Sequence, residues 1–101
     1  MPHGSYTLRT DREVMQDLGR RLQQLREARK LTAVETAAQA GLSRRTVWRA
    51  ESGGNPTLLT LCRLLRLYGH IDALENFVPE PAISPMALLK ERKPRPEAPR
   101  G

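Results

Sequence analysis

A single cysteine, Cys62, among 101 residues excludes an intrachain disulfide and any metal centre built from several thiolates. His3 and His70 have no ligand companions at metal spacing, so we expect no metal site and no cofactor. The sequence also lacks a long apolar run. Its longest, Leu58 to Tyr68, is interrupted by Arg63 and Arg66, and no leader-like segment is visible. These absences describe a soluble, cytoplasmic protein in a reducing compartment, with no membrane partner. No nucleophile–base pair, glycine-rich phosphate loop or metal cluster stands out, so the chain does not read as an enzyme. Strand-like alternation and internal repeats are missing too, which leaves an all-α domain.

What is present is unevenly distributed. Of eight prolines, Pro79, Pro81, Pro85, Pro94, Pro96 and Pro99 crowd the last quarter, so the compact part is expected to end near Leu89. The net charge of +6 is segregated. Arg20 to Arg49 holds eight bases against Glu27 and Glu35, whereas His70 to Leu89 has no Lys or Arg and carries Asp72, Glu75 and Glu80. From Lys90 onward five bases outnumber two acids. A domain basic at one end and acidic at the other favours a polyanion docking in one orientation.

Residues 1–9 show no helical period and read as a flexible arm. Thr10-Asp11-Arg12-Glu13 has the form of a capping box. Behind it Val14, Leu18, Leu22 and Leu25 recur at helical spacing, with acids at the start and Arg26, Arg29 and Lys30 at the end to match the macrodipole. Thr32 to Glu35 repeats the box and opens a short helix to Ala40, where Gly41 supplies a positive φ. Ser43 caps a third helix, Arg44 to Glu51, and the run Ser52 to Pro56 breaks it. Thr57 caps a fourth, Leu58 to about Tyr68, ended by Gly69. A fifth is expected over Ile71 to Phe77, and Ser84-Pro85 opens a last turn to about Glu91. The organisation is then an arm (1–9), a five-helix domain (10–78), a short helical C-terminal extension (79–92) and a disordered basic tail (93–101).

Two short helices joined by Ala40-Gly41-Leu42-Ser43 carry the functional signal. A three- or four-residue turn with one glycine crosses two helices at about 90–120° and pushes the second outward. Val47 and Ala50 are expected to point inward with Val34, Ala37 and Ala38, leaving Arg44, Arg45 and Arg49 outside. The first turn of such a helix meets base edges, and arginine suits guanine O6 and N7.

Leu25-Arg26, Leu31-Thr32, Ala37, Ala40 to Ser43, Thr46-Val47, Arg49, Glu51 and Asn55 to Leu58 give the chain a likeness to a known family. Over about Leu18 to Leu67 it resembles the lambda-repressor-like, Cro/CI-type (XRE) helix-turn-helix domains. The resemblance implies a sequence-specific transcriptional regulator, a repressor or an activator, binding double-stranded DNA as a homodimer. It places Thr32, Ser43, Arg44, Arg45, Thr46, Trp48, Arg49 and Asn55 at the DNA, and it pairs Arg26 with Glu51 as a structural ion pair. Three positions depart from the pattern. Ala33 stands where Gln is usual, Thr36 where Leu is common, and Trp48 where a polar residue is more frequent. We expect Trp48 to pack over neighbouring arginine stems, with its N–H free for a phosphate.

On the fourth helix, Leu58, Leu61, Cys62 and Leu65 form a stripe expected to close the core. Leu59, Leu64, Leu67 and Ile71 form a second, to be covered by Leu74, Phe77 and the Met86-Leu88-Leu89 turn, or by a second subunit as a dimer interface. Over a short stretch, Pro79 to Lys90 resembles the C-terminal extension of HipB-like antitoxins. That implies an alternative role, in which the protein autoregulates its operon and binds a cognate toxin. A third reading, a protein-interaction module on a helix-turn-helix scaffold, fits poorly with Arg44, Arg45 and Arg49.

Overall fold

A computed structural model describes residues 5–82. Its α-helices are α1 (Asp11–Ala28), α2 (Ala33–Ala40), α3 (Arg44–Glu51) and α4 (Leu58–Tyr68), with short 3-10 turns at Ser5–Leu8 and Ile71–Glu75. Every α-helix begins at a hydroxyl. Thr10 accepts from the Glu13 amide at 3.1 Å, and the Glu13 carboxylate accepts from the Thr10 amide at 3.0 Å. Thr32 and Glu35 repeat this exchange at 3.0 and 2.8 Å. Ser43 and Thr57 accept from the amides of Thr46 and Thr60 at 3.0 and 3.1 Å. Each cap satisfies an otherwise orphaned N–H and contributes about 1 kcal/mol. The far ends use the left-handed region: Gly41 at φ 70 closes α2 and Gly69 at φ 81 closes α4. Arg29 also donates to the Tyr68 carbonyl at 2.9 Å, placing a cation at the negative end of α4.

Leu22, Ala37, Val47, Ala50, Leu64 and Tyr68 form the buried core, with Leu25, Leu31, Leu42, Leu61, Leu65 and Leu67 packed around it. α3 lies against both α1 and α2, and α4 closes the other side of α2. The approach of α1 to α3 is very close at Gly19. A Cβ there would stand 2.6 Å from the Glu51 carbonyl oxygen and 2.8 Å from that of Ala50.

Four expectations need correction. The fifth helix is a five-residue 3-10 turn: His70 makes no side-chain cap there, and Phe77 beyond it is half exposed. On α4 the buried row is Thr60, Leu64 and Tyr68. Leu64 is therefore wholly inside its own chain and is not available as an interface leucine, Leu67 and Ile71 are half-buried, and Leu58 and Leu59 are exposed. On α2, Val34 and Ala38 face solvent while Thr36 is completely buried. The reason is the same on both helices, because threonine methyls and a tyrosine ring fill interior space that the apolar pattern assigns to aliphatics. Two hydroxyls, Thr36 Oγ1 and Tyr68 Oη, are consequently buried with no partner among the described residues other than each other. Burial holds the Tyr68 phenol above its ordinary range.

The arm is the fourth correction, since residues 5–9 are held on α1. The Tyr6 hydroxyl donates to the Asp17 carboxylate, which Arg20 and Arg21 also engage. The guanidinium carbons of Arg9 and Arg21 each stand 5.8 Å from the Tyr6 ring centroid. These side chains cover Asp17 rather than sinking it into the interior, leaving its side chain 4% exposed. The Tyr6 hydrogen bond, helped by the arginines and opposed by burial, holds the Asp17 carboxyl below the usual range. The Ser84 to Glu91 turn, with Met86, Leu88 and Leu89, and the basic tail lie outside the described residues, as does most of the antitoxin-like stretch.

Candidate nucleic-acid interface

α3 is presented by the turn before it and anchored from three sides. Gly41 in the left-handed region turns the chain, and the Leu42 amide bonds back to the Ala37 carbonyl at 2.8 Å. Arg63 reaches across from α4 and donates to the Gly41 carbonyl at 2.9 Å. Spacing gives no hint of that role, because Arg63 reads only as an interruption of a leucine run. At the other end, Arg26 grips Glu51 through Nε–Oε2 at 2.6 Å and Nη2–Oε1 at 3.1 Å, and donates a third bond to the Leu31 carbonyl at 2.8 Å. The Glu51 hydrogen bond raises the Arg26 pKa, against the opposing effect of burial. Val47 and Ala50 seat the helix in the core.

At 3.6 residues per turn, this seating puts Arg45 directly outward. Arg44 and Trp48 lie on one flank, Thr46 and Arg49 on the other. Arg44, Arg45 and Arg49 are exposed, and Thr46 is half-buried with its hydroxyl 2.8 Å from that of Ser43. Trp48 is 67% exposed, so it lacks the cover over arginine stems expected for it. Among the described residues, guanidinium–ring contacts occur at Tyr6 instead. Thr32 caps α2, and Asn55 is exposed in the loop before α4. A hollow joins the two elements, with Arg45, Thr46 and Arg49 on one side and Asn55, Thr57 and Thr60 on the other. Gly54 had no assigned role in the sequence, yet a Cβ there would meet Arg49 Cγ at 2.5 Å.

The arginines divide by employment. Arg20 and Arg21 are bonded to Asp17, Arg26 to Glu51, and Arg29 and Arg63 to backbone carbonyls. Arg9 lies over the Tyr6 ring, and among the described residues Arg12 on α1, Arg66 on α4 and the three of α3, Arg44, Arg45 and Arg49, have no carboxylate or carbonyl partner; α3 alone gathers three of them within eight positions. Three like charges on two helical turns raise the local potential without stabilising the fold. They are placed to meet an anion. Described residues include no group of three or more His, Cys, Asp or Glu side chains able to hold a metal, and no helix long and apolar enough to cross a membrane.

No curated protein matches the chain. Residues 17–76 match a family model described as a helix-turn-helix domain, and this span starts at the arm's anchor on α1 and runs through the final 3-10 turn. With that match covering more than half of the sequence, and with α2, the Gly41 turn and α3 arranged as such a domain requires, the chain belongs to the helix-turn-helix domain family of DNA-binding proteins.

Proposed function

We propose that this protein is a sequence-specific transcriptional regulator that inserts α3 into the major groove of double-stranded DNA. The observation that carries the reading is the gathering of three arginines, without a carboxylate or carbonyl partner among the described residues, on the outward face of α3. Arg44 and Arg45 in the first turn are the base readers. Ser43, Thr46 and Thr32 sit at helix starts, where N–H groups favour phosphates. A single short helix touches few base pairs, so two copies on a near-palindromic site, with half-sites about 34–36 Å apart, complete the recognition. Leu59, exposed in the first turn of α4, and half-buried Leu67 and Ile71 at its far end are the apolar side chains available to the seam.

Selection of bound sites from random duplexes tests the reading. A recovered two-fold motif is the expected result. Arg45→Ala then relaxes preference at particular base pairs, costing about 1–3 kcal/mol at each well-made contact. Equal losses on selected and random DNA would refute base reading. Sedimentation with the selected duplex should show two chains per site, and one chain per site would refute the dimer.

A further inference from the structure

The buried row of α4 is Thr60, Leu64 and Tyr68, so helical spacing turns Arg63 and Arg66 outward, with Leu67 beside them. Together with Gln39 and Ala40 at the end of α2 they line a shallow groove whose lining holds no acidic side chain. Half-buried Ala40 and Leu67 give it an apolar base. Arg63 is tied to the Gly41 carbonyl at 2.9 Å, whereas Arg66 has no carboxylate or carbonyl partner among the described residues. The converse surface follows directly in the chain. Residues 70–82 contain no Lys or Arg, and Asp72, Glu75 and Glu80 are exposed without an ion-pair partner among the described residues. Phe77 and Val78 are 51% and 73% exposed, so apolar side chains stand among these acids. Their backbone is held in place. The His70 amide bonds to the Leu65 carbonyl at 2.7 Å, that of Ala73 to His70 at 3.0 Å, and that of Phe77 to Leu74 at 3.1 Å.

We propose that the acidic 3-10 turn of one copy, with Phe77 behind it, seats in the α2–α4 groove of a second copy, and that the exchange is reciprocal. Arg66 then faces Asp72 and Glu75 across the seam, and Phe77 covers Leu67. Because groove and turn adjoin on one chain, a two-fold axis between them makes both contacts at once. A nucleic-acid backbone is a poorer occupant, since its phosphates in the groove would lie beside the acids of the same chain. This rests on the two-copy part of the reading above and names the surface that joins the copies. The contact itself requires no DNA.

The test is sedimentation of the full chain without DNA, for the wild type, for Arg66→Glu, for Asp72→Arg with Glu75→Arg, and for the two variants mixed. The wild type is expected to sediment as a dimer in low salt and to dissociate as salt rises. Each variant alone sets like charges across the seam and should weaken the dimer about tenfold or more. Mixed in equal amounts, the two variants regain a dimer containing one of each, because every swapped charge then faces its opposite. Mixing could not restore an ion pair within one chain, so this arm separates the seam from an intrachain role. Circular dichroism verifies that each variant is folded. A wild-type dimer that neither variant weakens overturns the seam and leaves the two-copy reading in place through other residues. A wild type that is monomeric alone yet places two chains on a selected duplex also overturns the seam alone, and one chain per site overturns both. If Arg66→Glu leaves the dimer intact and lowers affinity for all duplexes alike, the groove faces phosphates and the seam is wrong.

Discussion

Removing the Arg26 side chain is expected to destabilise this fold more than any other single change to a charged residue. Arg26 and Glu51 side chains are 13% and 11% exposed, so water replaces little of what is lost. Arg26→Ala deletes two bonds to the Glu51 carboxylate and one to the Leu31 carbonyl, and strands a largely covered anion. Breaking a buried pair in this way costs about 3–5 kcal/mol, against about 5–15 kcal/mol for the total stability of a domain. A domain of this size loses about 4–8 °C of Tm per kcal/mol, so the variant should melt roughly 12 °C or more below the wild type. Arg26→Lys keeps the charge but cannot span both carboxylate oxygens and Leu31 together, and should fall between the two. Glu51→Gln should cost less than Arg26→Ala, because the guanidinium keeps its Leu31 bond. Urea unfolding followed by circular dichroism gives the values, and a double-mutant cycle with Arg26→Ala and Glu51→Ala gives the coupling, about 2 kcal/mol or more. A loss for Arg26→Ala below about 1 kcal/mol, the range of exposed pairs, would refute the reasoning.

Gly19→Ala should lower stability even though alanine gains about 1 kcal/mol of helix propensity, since its Cβ would force α1 off backbone carbonyls of α3; a rise in Tm would contradict this contact. Thr36→Val combined with Tyr68→Phe removes together two buried hydroxyls that have no partner but each other and should be neutral or stabilising, with a loss above about 2 kcal/mol counting against it. The Asp17 contribution has a defined pH window. Because its folded pKa is lowered, the stability it supplies is complete above the ordinary carboxylate value of about 3.9 and is lost as pH falls through the lowered one. The stability difference between the wild type and Asp17→Asn in urea should therefore shrink only in strong acid, and a difference that persists unchanged at pH 2 would refute the linkage.

The helix starts were legible because they are local. A hydroxyl and the amide three residues on need nothing from the rest of the chain, and Thr10, Thr32, Ser43 and Thr57 all cap as their spacing suggests. The extent of α3 follows from Ser43 in front and the Ser52 to Pro56 breaker behind. Side-chain direction was less legible wherever burial and apolarity part company. Thr36, Thr60 and Tyr68 are interior, whereas Val34 and Leu58 are outside, and a pattern that ranks residues by hydropathy inverts them. The docked arm was hidden for another reason. Tyr6 and Asp17 are eleven positions apart and belong to different elements, so no period links them. Gly19 reads as a weak point in a helix until the neighbouring backbone is in place. For the candidate site, residue types marked the arginine face, but Arg63 and Gly54 act through contacts that only the folded chain creates.

The outward position of Trp48 has a practical consequence. It is the only indole in the chain, and the fold leaves it two-thirds in water. Its fluorescence in the native state should already resemble that of a solvated tryptophan, so denaturation will change the emission little. The same exposure puts the fluorophore on the surface of α3, where a docking macromolecule would shield it from collisional quenchers. The protein thus carries an optical reporter that is nearly blind to its own unfolding and sensitive to what covers its third helix.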